Sequence, residues 1–133
     1  MPGPLDGIRV LDLTIAQQGP YATMLLADMG ADVIKIERPG FGEVGRALGI
    51  DRSTGFSAYF LAINRGKRSV TVDMQQPKGR DLILRLATEC DVVAHNFRGG
   101  VMDGLGLGYD AFQAANPRII YAQATAFGTR GPM

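Results

Sequence analysis

The stretch Pro4 to Arg38, PLDGIRVLDLTIAQQGPYATMLLADMGADVIKIER, constrains the fold more than any other part of this chain. Branched apolar residues over Ile8–Leu13 predict a strand, and a short polar turn follows. Pro20 opens a helix over Tyr21–Met29 that Gly30 closes, and Val33–Ile36 predicts a second strand. Strands joined by a helical crossover pair in parallel. In open sheets of that kind, ligands collect outside the carboxyl ends of the strands. Thr14, Gln17 and Gln18 stand at the first such end, and Glu37 and Arg38 at the second.

The rest of the chain continues the pattern. Asp91–Ala94 and Ile119–Ala122 predict two more buried strands, and the alternating Ser69–Asp73 predicts one nearer a sheet edge. Lys78–Thr88, after Pro77, and Tyr109–Ala115, before Asn116-Pro117, have helical spacing, and a further helix is expected over Phe56–Ile63. The Gly-rich Pro39–Ser57 lacks periodicity and reads as a mobile loop. The fold class expected is α/β, a Rossmann-like open parallel sheet with flanking helices.

A length of 133 residues fits one domain or a piece of one. A net charge of +1 gives no reason to expect nucleic acid or a membrane surface as partner. Cys90 stands alone, which excludes an internal disulfide and points to a reducing compartment, with cytoplasm the default. The N-terminal MPGPLDG has neither the basic start nor the apolar core of a signal peptide, and no run is long enough to span a membrane. The chain stops at FGTRGPM, just past an apolar strand, so the expectation is the opening section of a longer polypeptide.

Several residues are candidates for chemistry, each with a plainer alternative. The turn Thr14–Pro20 holds only Gly19, whereas a dinucleotide fingerprint needs three glycines for backbone to approach a pyrophosphate. Gln17 can orient a carbonyl or carboxylate, or Gln17 and Gln18 are simply solvated. Arg38 suits stacking on a purine while pairing with phosphate, or Glu37 and Arg38 form a surface ion pair. The basic run Asn64–Ser69 either neutralises phosphate or keeps a sheet edge soluble. His95-Asn96-Phe97-Arg98-Gly99-Gly100 combines an amide, an aromatic face, a cation and two glycines directly after a strand. His95 is the sole histidine, so a metal site is not expected.

The motifs PLDGIRVLDLT, GPYATMLLADMGADVIKIERPG, FLAINRGKRSVTVDM, DVVAHNFRGGVMDGLGLGYD and NPRIIYAQATAFGTRGP occur in that order from Pro4 to Pro132. This ordered set closely resembles the N-terminal section of the family III CoA-transferases, which include formyl-CoA and carnitine-CoA transferases and the related α-methylacyl-CoA racemases. The resemblance implies the N-terminal, CoA-binding portion of a Rossmann-like large domain in an interlocked homodimer. It implies acyl-CoA and a carboxylic acid as substrates, with no tightly bound cofactor. Arg38 matches the family's arginine at the nucleotide end of CoA, and Gln17 the transferase glutamine facing the acyl group. Val72, Asp73, Met74 and Gln75 match a stretch lining the nucleotide pocket, and Asn96 and Phe97 match residues beside the pantetheine and phosphates. The bottom-up candidates Gln17, Arg38 and Asn96–Arg98 fall on the same positions.

The chain also departs from the pattern. Gly104 stands where some transferases have a phosphate-contacting arginine, with Arg98 a candidate to compensate across the loop, and Gly99 replaces a common proline. The family's nucleophilic aspartate lies beyond Met133, and none of Asp6, Asp12, Asp28, Asp32 or Asp73 is in its motif. The chain alone is therefore expected to be inactive. The turn Thr14–Pro20 resembles transferases more than racemases, which tend toward more Gly and Pro there. The alternatives are a racemase and a non-catalytic CoA-binding module.

Overall fold

The computed structural model describes residues 2–128 and 131. Residues 129–130 and 132 of the final motif lie outside the described residues, as do Met1 and Met133. Strands β1 (Arg9–Asp12), β2 (Asp32–Glu37), β3 (Lys67–Thr71), β4 (Val92–His95) and β5 (Ile120–Gln123) form one sheet in the order β3-β2-β1-β4-β5. Every neighbouring pair is parallel. Strand order reverses between β1 and β4, so the switch point of the sheet lies where these two strands end.

Apolar residues alternate to opposite faces of the central strands and build two cores. Leu11, Ile34, Ile36 and Val93 face one side with Ile83 of α3 (Pro77–Ala87) and Phe112 of α5 (Tyr109–Ala115). Val10 and Val33 face the other, against Leu26 and Ala27 of α1 (Gln18–Asp28). Two short helices, α2 (Ala58–Asn64) and α4 (Val101–Gly104), complete the set. The α/β fold read from the sequence is the one observed.

Pro20 lies in the first turn of α1, where its missing N–H has no intrahelical partner to lose. Gly30 follows the helix at φ 102°, a left-handed position that disfavours a β-carbon. β3 is an edge strand as expected, but it runs from Lys67 to Thr71. Val72 and Asp73, expected within it, lie in the loop beyond. The short α4 has no precursor in the sequence reading. Part of Pro39–Ser57 is also more regular than expected. It contains a 3-10 turn, Val44–Ala47, and antiparallel bridges join Arg38 to Gly42 and Ile50 to Ser57.

Candidate functional site

The turn after β1 is suspended by side chains from four other parts of the chain. Asp12, fully buried, accepts from the Thr14 N–H at 2.9 Å, and the Thr14 hydroxyl also donates to it. Lys35 Nζ donates to the Thr14 carbonyl at 2.8 Å. The Asn96 carboxamide takes both backbone groups of Ile15, accepting from N–H and donating to C=O, each at 2.8 Å. Glu43 accepts the Ala16 N–H at 2.7 Å. A glycine-rich turn would offer these amides to phosphate. Here the protein uses them itself.

Beneath the turn lies a buried charge cluster. Lys67 Nζ donates to Asp12 at 3.0 Å, to the Pro20 carbonyl at 2.8 Å and to Asn64 at 3.0 Å. Lys35 stands 3.9 Å from the same Asp12 carboxylate. Burial pushes the Lys67 pKa below the usual lysine value, and Asp12 opposes that shift. Charges this deep persist only when paired and fully hydrogen-bonded. The two arginines of the run from Asn64 are also paired within the chain, but at the surface. Arg65 pairs with Asp28, with one bond at 3.1 Å, and Arg68 with Asp32, with one at 2.8 Å. These pairs hold both arginines within the chain, and Arg68, exposed on the edge strand β3, fits the edge-solubility alternative.

The switch point itself is filled. A β-carbon at Gly19 would overlap the Thr14 side chain and come within 3.1 Å of Asn96 Cγ. Thr14 and Asn96 thus pack directly on the start of α1, where a dinucleotide's pyrophosphate sits in glycine-fingerprint folds.

The open space lies beside this plug. A cavity of about 520 Å³ is lined by Ile15 from the β1 turn and Arg38, Phe41 and Val44 after β2. Asp73, Met74 and Gln75 after β3, and Phe97, Val101 and Leu105 after β4, complete it. Five sequence candidates therefore share one groove: Arg38, Asp73, Met74, Gln75 and Phe97. Arg38 is exposed there and forms no ion pair among the described residues. Its neighbour Glu37 points into the protein instead. Arg46 binds it with two bonds of 2.7 Å, Ser69 Oγ donates at 2.6 Å and the Glu43 N–H at 2.9 Å. Burial raises the Glu37 pKa, but these donors outweigh it and hold the group at about 2. The surface ion pair considered for Glu37 and Arg38 is replaced by one between the buried Glu37 and the half-exposed Arg46.

The other candidates fall elsewhere. Val72 is 5% exposed and packs in the core, so it offers a ligand little beyond backbone. Gln17 and Gln18 are exposed at the start of α1 and line a separate recess with Tyr21. Arg98 lines a second cavity, of about 530 Å³, with His95, Tyr109, Tyr121 and Gln123. Gly104 lines the first. Compensation by Arg98 across the loop does not match that placement. His95 is 1% exposed, stacks on Phe97 and meets Tyr121 edge-on. Burial lowers its pKa, and neither ring nitrogen has a hydrogen-bond partner among the described residues. Cys90 is buried, its thiol pushed up to about 11 by desolvation, which suits packing and not nucleophilic attack.

Sequence reasoning missed Glu43 and Lys35, and read Lys67 only as part of a basic run. Their signal was faint: Lys35 interrupts an otherwise apolar strand, and Glu43 stands in a stretch read as open loop.

Comparison with known proteins bears on this arrangement. The profile described as "CoA-transferase family III" matches residues 5–133. The chain is 45% identical over 130 residues to mouse succinyl-CoA:glutarate CoA-transferase, covering 98% of this chain and 30% of that protein. It is 47% identical over 124 residues to a formyl-CoA:oxalate CoA-transferase of Rhodopseudomonas palustris, covering 93% and 29%. Among solved structures, a CAIB/BAIF family protein from Brucella suis superposes with a TM-score of 0.91 at 43% identity, covering 99% of this chain and 36% of that one. The chain thus spans about a third of the length of the relatives it matches.

Proposed function

The chain belongs to CoA-transferase family III, and from that premise we propose that it is the CoA-binding N-terminal section of an enzyme moving CoA from an acyl-CoA to a carboxylic acid. The observation that carries this reading is the groove of Arg38, Phe97 and the Asp73–Gln75 loop beside a plugged switch point. A planar cation next to apolar and aromatic walls matches an adenine joined to phosphate. The plug disfavours a dinucleotide such as NADP, because no amide of the Thr14–Ala16 turn is free to hold a pyrophosphate.

In this reading Arg38 holds the adenine and phosphate end, Asp73, Met74 and Gln75 line the nucleotide pocket, and Phe97 flanks the pantetheine. Asn96 contributes mainly by holding Ile15. Gln17, with Gln18 beside it, stands over the acyl group, where a carboxamide can both donate to and accept from a thioester or carboxylate. The glutamine in the turn favours transfer over racemisation. Chemistry proceeds by double displacement. An aspartate attacks the acyl carbonyl and expels the CoA thiolate, giving a mixed anhydride. The thiolate then attacks the aspartyl carbonyl, releasing the first acid and leaving an enzyme thioester. The acceptor carboxylate repeats the sequence in reverse. Four of the acids are engaged within the chain, which supports placing that nucleophile elsewhere: Asp12, Asp28 and Asp32 are held in ion pairs, and Asp73 accepts the Gln75 N–H at 2.9 Å. Assembly as an interlocked homodimer in the cytoplasm, with no resident cofactor, belongs to the same proposal. No described helix is long and apolar enough to cross a membrane.

The test is Arg38→Ala in the full-length enzyme, with CoA binding followed by calorimetry. Loss of a charge-assisted contact should raise Kd for CoA about tenfold or more while leaving the melting temperature unchanged. Unchanged affinity removes Arg38 from the site. A thermal-shift panel should show stabilisation by CoA and acyl-CoA and none by NADP.

A further inference from the structure

Glu43 belongs to the segment after β2 that brings Phe41 and Val44 into the groove, yet its side chain turns the other way. It is 2% exposed. One carboxylate oxygen accepts the Ala16 N–H at 2.7 Å and the other the Gly45 N–H at 2.9 Å. Its own backbone N–H donates to Glu37, which Arg46 and Ser69 hold in place. A single side chain thus fastens one wall of the groove to the turn that ends in Gln17.

The point of attachment is unusual. Ala16 has φ 64°, the left-handed region that a residue with a β-carbon avoids, and it is the one non-glycine described residue with positive φ. Without Glu43 the Ala16 amide would lose its partner, and the turn would be free to relax to an ordinary conformation. Gln17, the next residue, would move with it.

We infer that Glu43 is a positioning residue for acyl transfer, tying the Gln17 turn to the nucleotide groove so that a CoA ester seated against Arg38 meets Gln17 at a fixed distance. This rests on the reading of Gln17 as the residue facing the acyl group. Binding at the remote nucleotide end then becomes orientation at the reacting end. Glu43 touches no substrate.

The experiment uses the full-length enzyme as wild type, Glu43→Ala, Gln17→Ala, the double variant and Glu43→Gln. The readouts are kcat, KM for acyl-CoA, and Kd for adenosine 3′,5′-bisphosphate as the nucleotide fragment alone. Glu43→Ala should lower kcat about a hundredfold, the scale of a small misplacement of reacting groups. It should leave Kd for the bisphosphate within about twofold, because only the acyl end is displaced. The double variant should be no more than about threefold worse than the poorer single one, since both changes remove the same function. Glu43→Gln keeps an oxygen for one of the two amides and should recover much of kcat; it carries the same comparison if the alanine variant does not fold. Losses that multiply in the double variant, or a bisphosphate affinity that falls together with kcat, overturn the inference. A Gln17→Ala enzyme with normal kcat would instead show that the reading of Gln17 is wrong, and the role of Glu43 goes with it.

Discussion

Asn96, just after β4, holds both backbone hydrogen-bonding groups of Ile15, in the turn after β1, through one carboxamide with two bonds of 2.8 Å. The two residues are 81 positions apart in sequence and meet at the switch point of the sheet. A side chain thereby closes the gap that β1 and β4 would otherwise leave between their ends.

Asn96→Ala should destabilise the full-length protein by about 1–2 kcal/mol in denaturant titrations, since two backbone groups lose their partner. Asn96→Asp should do no better at neutral pH, because a carboxylate would face the Ile15 carbonyl. An alanine variant as stable as wild type would mean that water replaces the amide without loss.

Gly19 offers a test in which two principles oppose each other. Helix propensity alone says that Gly19→Ala in α1 stabilises by up to about 1 kcal/mol. Packing says the reverse, because the new methyl meets Thr14 and Asn96. Overpacking should win and cost about 1–3 kcal/mol, read as a lower unfolding midpoint. A stabilised variant would show that Thr14 has room to withdraw.

Glu37 predicts an acid-sensitive contribution. Its pKa is held at about 2, against an ordinary 4.5. A lowered carboxylate pKa favours the folded state above the ordinary value, so this stability is complete above about pH 4.5 and fades as pH falls toward 2. Arg46 is 45% exposed, and allowing for screening the effect is on the order of 2 kcal/mol. The stability difference between wild type and Glu37→Gln should shrink progressively as pH falls from 6 toward 2, with more than half of that amount gone by pH 3. A difference independent of pH would contradict the pairing.

The outer strands predict the behaviour of the 133-residue chain in isolation. β3 and β5 both end the sheet, and Ile120 on β5 is 61% exposed. Unpaired edges with apolar side chains favour association between copies. The isolated chain should sediment as concentration-dependent oligomers and melt without a sharp transition. A monomer with a cooperative melt would show that these edges are protected within the chain itself.

Much of the fold was legible because it follows from local pattern. Continuous apolar runs such as Ile119–Ala122, with Pro and Gly marking helix ends, specify parallel strands and crossovers directly. Arg38 and Phe97 were legible as candidates because the ends of parallel strands converge, whereas Met74 came only from the family resemblance. Long-range polar pairing was not. Nothing local to Lys67 indicates that it reaches Asp12, 55 residues away, and a basic run normally signals a solvated surface. Glu43 was hidden for the same reason: its partner, Ala16, lies 27 residues earlier and offers only a backbone amide, which carries no side-chain signature. The Asp12 and Glu37 carboxylates look alike in sequence to any strand-end acid; only the folded neighbours reveal that both face inward.

Ordinary sheet-end turns are generic anion receptors, because main-chain N–H groups are the same whatever residues carry them. In this protein that universal element is occupied internally by Asp12, Asn96 and Glu43. Whatever molecule the neighbouring groove accepts must therefore be chosen by replaceable side chains. Selectivity there is open to change by single substitutions at Arg38 or Met74, with the supporting frame left as it stands.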